Sequence, residues 1–201
     1  RANPVAVAHL DRVEDQAPAT AQLDQPTLIR KKIWPGFQEA QLGYQSNALE
    51  LISPEARLTP AREAEVALVA CMRNEMFILE PFLAHYRRLG VGAFLIADNG
   101  SDDGTLDYLA EQNDVAVFSV DTDYKLSAYG VAWQQALLSA FRIGKWSVVA
   151  DADEFLVWQK EQTQTLPDLL TSSAFDGADA ARVFMLDMYP EGPLSEAKLA
   201  S

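Results

Sequence analysis

The chain has 201 residues, of which 49% are hydrophobic and 22% charged, enough for one globular domain or one domain with an extension. Its 16 basic and 29 acidic residues leave a net charge of −13, which argues against a nucleic-acid groove or an anionic membrane surface as partner. A lone cysteine, Cys71, excludes an intramolecular disulfide, and no apolar run approaches the length of a membrane span.

Residues 1–62 are punctuated by Pro4, Pro18, Pro26, Pro35, Pro54 and Pro60, and no helical period survives there for long. Strand-like pieces are expected at 27–34 and 48–52, and Arg30, Lys31 and Lys32 form a basic cluster of the kind that is usually a solvated surface. The apolar residues of this stretch are too few for a core of their own, so 1–62 reads as an extension packed on a main domain spanning 63–201. The first residues, Arg1-Ala-Asn-Pro, lack the apolar core of a signal peptide. Together with a buried structural thiol at Cys71, this gives a reducing, cytoplasmic setting as the expectation. The chain does not begin with Met and ends in mid-pattern, as a main domain incomplete at its C-terminus would.

From Glu65 the pattern is regular. A buried strand is expected over 66–71, followed by the polar turn Arg73-Asn74-Glu75. Leu79, Phe82, Leu83, Tyr86 and Leu89 recur at helical spacing, with Pro81 in the first turn and Gly90 as the residue after the cap. Further strands are expected at 93–97, 115–120 and 146–150. Helices are expected at 105–112 and from a cap at Ser127 to Arg142, the latter with Val131, Ala132, Leu137 or Leu138, and Phe141 inward. A short helix at 166–170 and a strand at 181–186 follow. This alternation predicts an α/β fold with a mostly parallel sheet and right-handed crossovers.

Three polar loops follow strands, and in a parallel sheet they emerge on one edge, where ligands bind. They are Arg73-Asn74-Glu75, the run 98–104 (Asp-Asn-Gly-Ser-Asp-Asp-Gly), and Asp151-Ala-Asp153-Glu154. Val148, Val149 and Ala150 approach the last as a continuous apolar run, the mark of a strand covered on both faces. Strand alternation then places Asp151 and Asp153 on one side, roughly 6–7 Å apart at Cα. Like charges so placed need a neutraliser, and a hard divalent cation with oxygen ligands suits them. A bare Asp-x-Asp is more often a solvated acidic turn; the buried approach and the third carboxylate tip the balance here. The first strand is followed neither by a Gly-x-Gly-x-x-Gly fingerprint nor by a P-loop, and His9 and His85 give little support to a His triad or a zinc site.

These motifs carry a resemblance. Residues 66–158, a little under half the chain, resemble the nucleotide-binding half of a family-2-like glycosyltransferase of the GT-A fold. The resemblance rests on Cys71-Met-Arg-Asn-Glu75, on Asp98-Asn-Gly-Ser-Asp-Asp-Gly-Thr105 and on Asp151-Ala-Asp-Glu-Phe155, and is nearest to the branch with Asp-x-Asp-Glu-Phe. It implies a GT-A-like, Rossmann-like fold that moves a sugar from a nucleoside diphosphate, a UDP-sugar first, to a glycan or other acceptor in polysaccharide synthesis. By that resemblance Asp98 binds the base, Asp151 approaches the ribose or the metal, and Asp153 ligates Mn2+ or Mg2+. Glu154 departs from the commoner Asp or Asn. Arg73 and Lys125 are candidates for phosphate or base contacts, with surface charge as an equal alternative; Asn74 and Glu75 complete the nucleotide-sugar set by shaping its first loop. The base candidates are Asp187 and then Glu191, each with a bland reading as a strand-end acid near Pro190 and Gly192. The alternatives are a nucleotidyltransferase of related fold, which would want a glycine-rich first loop, and a non-catalytic GT-A-like binding module.

Overall fold

The computed structural model describes residues 11–12, 49–125 and 127–186. The strand-like piece at 27–34, the basic cluster at 30–32, and the candidate bases Asp187 and Glu191 lie outside the described residues.

Five strands form one sheet: β1 (Glu50–Leu51), β2 (Val66–Met72), β3 (Ala93–Asp98), β4 (Val115–Ser119) and β5 (Trp146–Val149). They lie in the order β1-β4-β3-β2-β5, with β1 antiparallel and the other four parallel. The helices are α1 (Leu58–Glu63), α2 (Met76–Arg88), α3 (Thr105–Glu111), α4 (Val131–Phe141) and α5 (Leu166–Leu170). The molecule is thus an α/β protein with a mostly parallel five-stranded sheet flanked by helices. No helix among the described residues is long and apolar enough to cross a membrane.

Strand alternation divides the core. Val66, Leu68, Ala70 and Met72 of β2 face α2 and Leu109 of α3, whereas Ala67 and Val69 face Leu58 and Ala61 of α1 and Trp133 and Leu137 of α4. Leu79, Phe82, Leu83 and Tyr86 give α2 a wholly buried stripe, worth about 1.5–3 kcal/mol per side chain. The helix stops as its sequence demands: Gly90 has φ +90°, its N–H bonds to Arg87 O, and the Val91 N–H bonds to Tyr86 O.

Several details depart from the sequence reading. Helix α2 begins at Met76, so Pro81 stands inside it rather than in its first turn. The reason is distant in sequence: Asp103 Oδ2 accepts the Met76 N–H at 3.1 Å, and Thr105 Oγ1 accepts the Glu75 N–H at 2.9 Å. Helix α1 lies across the expected boundary at 62, and residues 49–62 give the sheet its antiparallel edge and part of one core layer. Strand β5 is half-exposed, with Val149 47% exposed, because it ends the sheet and has only β2 as a neighbour among the described residues. In α4 the large inward residue is Trp133, while Val131 and Phe141 are only partly buried. Of the strand expected at 181–186, Ala181 and Arg182 pair antiparallel with Asp11 and Arg12, while Val183, Phe184, Met185 and Leu186 are exposed.

Two arginines tie the N-terminal edge of the sheet together. The guanidinium of Arg142, a residue only 3% exposed, donates to the carbonyls of Ala61, Ala64, Glu65 and Trp146 and to Ser147 Oγ. Arg57 donates to the carbonyls of Leu109, Ala110 and Val115, at the end of α3 and the start of β4. Both use carbonyls left over at helix ends and strand starts, where a cation is favoured.

Candidate functional site

Counting only the parallel strands in chain order, the sheet reads third, second, first, fourth. The order therefore reverses between β2 and β5, and a crevice outside the carboxyl ends of the strands is expected there. The 73–75 loop leaves β2 and the acidic 151–154 turn leaves β5 at this point, with the 98–104 loop one strand away.

The first two loops are zipped into one unit. Asn74 exchanges two side-chain hydrogen bonds with Asp102: Nδ2 donates to its carboxylate and Oδ1 accepts its N–H, each at 2.8 Å. The Asn74 N–H bonds to Ser101 Oγ at 2.9 Å, and that hydroxyl donates to Asp98 Oδ1 at 2.5 Å. Asn74 takes φ +60°, a left-handed conformation that its short polar side chain tolerates. Asp98 is 2% exposed, and its Oδ2 accepts the N–H groups of Gly100 and Ser101, each at 3.1 Å. Asp103 bonds to the N–H groups of Thr105 and Met76, and its exposed carboxyl lies below the ordinary range because of the Thr105 side chain and these backbone donors.

The acidic turn is built otherwise. The strand ends at Val149, and 151–154 is a tight turn rather than an extended segment, closed by Glu154 N–H to Asp151 O at 3.0 Å. The alternation argument for Asp151 and Asp153 therefore does not hold, yet the two carboxyls still feel each other. Burial and then Asp153 raise the Asp151 carboxyl above its ordinary value. Ala152 between them is buried, which roots the turn in the core. Glu154 is spent on the turn, its Oε2 accepting the Asp151 N–H at 2.9 Å. Asp151 and Asp153 side chains have no hydrogen-bond or ion-pair partner among the described residues.

The segment after the turn is latched to α2. Tyr86 Oη donates to Glu154 O at 2.9 Å and accepts the Leu156 N–H at 3.2 Å. His85 Nε2 lies 2.8 Å from Leu156 O, and Arg88 lies 3.2 Å from Nδ1. Nε2 is then the protonated nitrogen, in keeping with a pKa lowered mainly by burial. Phe155 packs edge-on against His85 at 5.2 Å between centroids.

One electrostatic field joins these groups. Glu75 is raised by burial, then by Asp153, Asp103 and Asp151. Cys71 at the end of β2 is pushed up to about 11 by burial first, and also by Asp151 and Glu75. Tyr124 is raised by burial, then by Cys71 and Asp151. Among the expected site residues, Glu75, Asp151 and Asp153 thus come together. Asp98 is buried one strand away, and Arg73 and Lys125 are exposed. Sequence reasoning passed over Tyr124, Tyr129 and the Tyr86 latch; helical spacing marks Tyr86 as core and gives no hint of its hydroxyl.

Among the described residues no three His, Cys, Asp or Glu side chains are grouped to hold a metal ion by themselves. No family model matches the chain, and no curated protein or solved structure is significantly similar to it.

Proposed function

We propose that this chain is the nucleotide-sugar-binding part of a metal-dependent, GT-A-like glycosyltransferase, with a UDP-sugar as the favoured donor and a glycan among the candidate acceptors. One observation carries the reading: Asp151 and Asp153, two carboxylates without partners among the described residues, stand at the point where the strand order reverses, one strand from the loop that Asp98 organises.

The donor set fits a divalent cation. Asp151 and Asp153 offer hard oxygen ligands whose mutual repulsion a cation relieves, and the acidic field around Glu75 would otherwise repel a diphosphate. Asp153, with Asp151 beside it, would hold Mn2+ or Mg2+; when bound, the ion would neutralise charge developing on the departing nucleoside diphosphate. The residues of the chain do the rest. Ala152 and the Tyr86 latch fix the turn in place, and Glu154 ties its backbone. The exposed guanidinium of Arg73 and ammonium of Lys125 offer counter-charge to phosphate. Asp98 spends three of its roughly four acceptor sites on its own loop, and the one left, on Oδ1, would accept the imide N–H of uracil. Asp187 remains the proposed base. A reducing compartment such as the cytoplasm suits the unpaired, half-buried Cys71.

The test is calorimetric titration of UDP with Mn2+ and with chelator. Mn2+ should tighten binding at least about tenfold, the equivalent of one charge-assisted contact. Asp153→Ala should remove most of that gain. Tight binding in chelator, or an Asp153→Ala protein that answers Mn2+ like the parent, would overturn the reading.

A further inference from the structure

An exposed pair of tyrosines, Tyr124 and Tyr129, stands on a segment outside the three motif loops. After β4 the chain runs along the Asp98 loop: the Val120 N–H bonds to Asp98 O at 2.9 Å, and Asn99 Nδ2 donates to the carbonyls of Val120 and Thr122. It then closes a turn in which Ser127 Oγ donates to Tyr124 O at 2.7 Å and accepts the Gly130 N–H at 2.9 Å. Ala128, Tyr129 and Gly130 follow one another with φ of +56°, +59° and +83°. Left-handed backbone is unfavourable for the first two and persists only where its surroundings over-determine it.

Here the surroundings are the end of β2. A Cβ on Gly130 would lie 2.2 Å from Cys71 Sγ and 3.4 Å from Tyr124 Cε2, so the turn seats its glycine directly on Cys71. The result is a pair of outward tyrosines. Tyr124 is 43% and Tyr129 57% exposed, with ring centroids 5.7 Å apart at 86°. Fully buried Trp133 stands behind Tyr124, 6.2 Å between centroids.

We propose that Tyr124 and Tyr129 form a stacking platform for the base of a nucleoside diphosphate. The inference rests on the glycosyltransferase reading and adds to it a second means of holding the nucleoside. The platform lies between the two places that reading needs: its segment is tied to the Asp98 loop, and its glycine rests on Cys71 near the end of β2, the strand that pairs with β5 below the acidic turn. A diphosphate held at the acidic turn would leave its planar base on this side. An aromatic face accepts any base, so the platform supplies affinity while hydrogen bonds elsewhere choose the base.

The experiment compares UDP with inorganic pyrophosphate, both with Mn2+, on the parent, Tyr124→Ala, Tyr129→Ala and the two Phe variants. Each Ala variant should bind UDP about five- to a hundredfold more weakly, from the known range of base–aromatic stacking, and bind pyrophosphate like the parent. The Phe variants keep the π-face and should bind UDP nearly as the parent does. Parent-like UDP affinity in both Ala variants overturns this inference and leaves the glycosyltransferase reading standing. Equal losses for UDP and pyrophosphate also overturn it, by showing that the turn merely supports the acidic site. No binding of UDP to the parent overturns both readings together.

Discussion

The 98–104 loop and the 151–154 turn use the same residue type to opposite ends. Asp98, Asp102 and Asp103 each accept hydrogen bonds from nearby backbone or side chains, so most of their acceptor capacity goes into holding two loops together, Asp98 keeping one site for the proposed contact with the base. Asp151 and Asp153 accept none among the described residues, and the only carboxylate spent within their turn is that of Glu154. A carboxylate surrounded by donors has had its lone pairs chosen for it, whereas one left facing another carboxylate holds its capacity in reserve for something from outside.

Substitution can break this comparison. The largest effect should come from Asp98→Ala, which leaves the Gly100 and Ser101 N–H groups and the Ser101 hydroxyl without their acceptor. A loss of about 2–4 kcal/mol of folding stability is expected, read by urea denaturation. A loss within about 0.5 kcal/mol would mean that the loop is not built on Asp98. Asn74→Ala comes next. It cuts both bonds to Asp102 and puts Ala at φ +60°, for about 1–2 kcal/mol by the same measurement, without changing how the protein responds to Mn2+.

The smallest effect concerns pH. Asp151 and Glu75 are raised in the folded protein, so each binds its proton more tightly folded than unfolded. Such a group contributes stability that is fully present below its unfolded pKa and is lost as pH rises through the raised folded value. In chelator, Asp151→Asn should therefore gain slightly on the parent as pH climbs from about 4 to 7, the gain kept small by solvent screening. Urea midpoints across that range decide it. A variant that falls behind the parent with rising pH would show that the Asp151 charge is stabilised, not repelled.

Much of this arrangement was legible in the sequence. Apolar runs fixed the four parallel strands to within a residue or two, and helical spacing found the buried stripe of α2, because both signals are local and tertiary packing did not oppose them. Gly90 was readable as a helix stop for the same reason. What escaped depends on contacts between distant residues. The start of α2 is set by Asp103, 27 positions from Met76, and no periodicity carries that. Val148 and Val149 look like a strand buried on both faces, but burial depends on neighbours, and among the described residues β5 has one. The three polar loops could be assigned to one edge from topology; which carboxylates would be occupied and which free could not, since that is decided by loop geometry.

The grip of Arg142 has a consequence for how such a protein can change. Its guanidinium holds α1, the lead-in to β2 and the start of β5 by their carbonyl oxygens, at the end of the sheet farthest from the acidic turn. Carbonyls belong to every residue, so the clasp itself does not depend on which side chains stand at the positions it holds. Only the arginine is irreplaceable, because lysine cannot fan out to so many acceptors at once. The loops at the other end are thereby released from the task of keeping the strands in place. They can lengthen, change charge or admit a different ligand over evolutionary time while the frame beneath them persists.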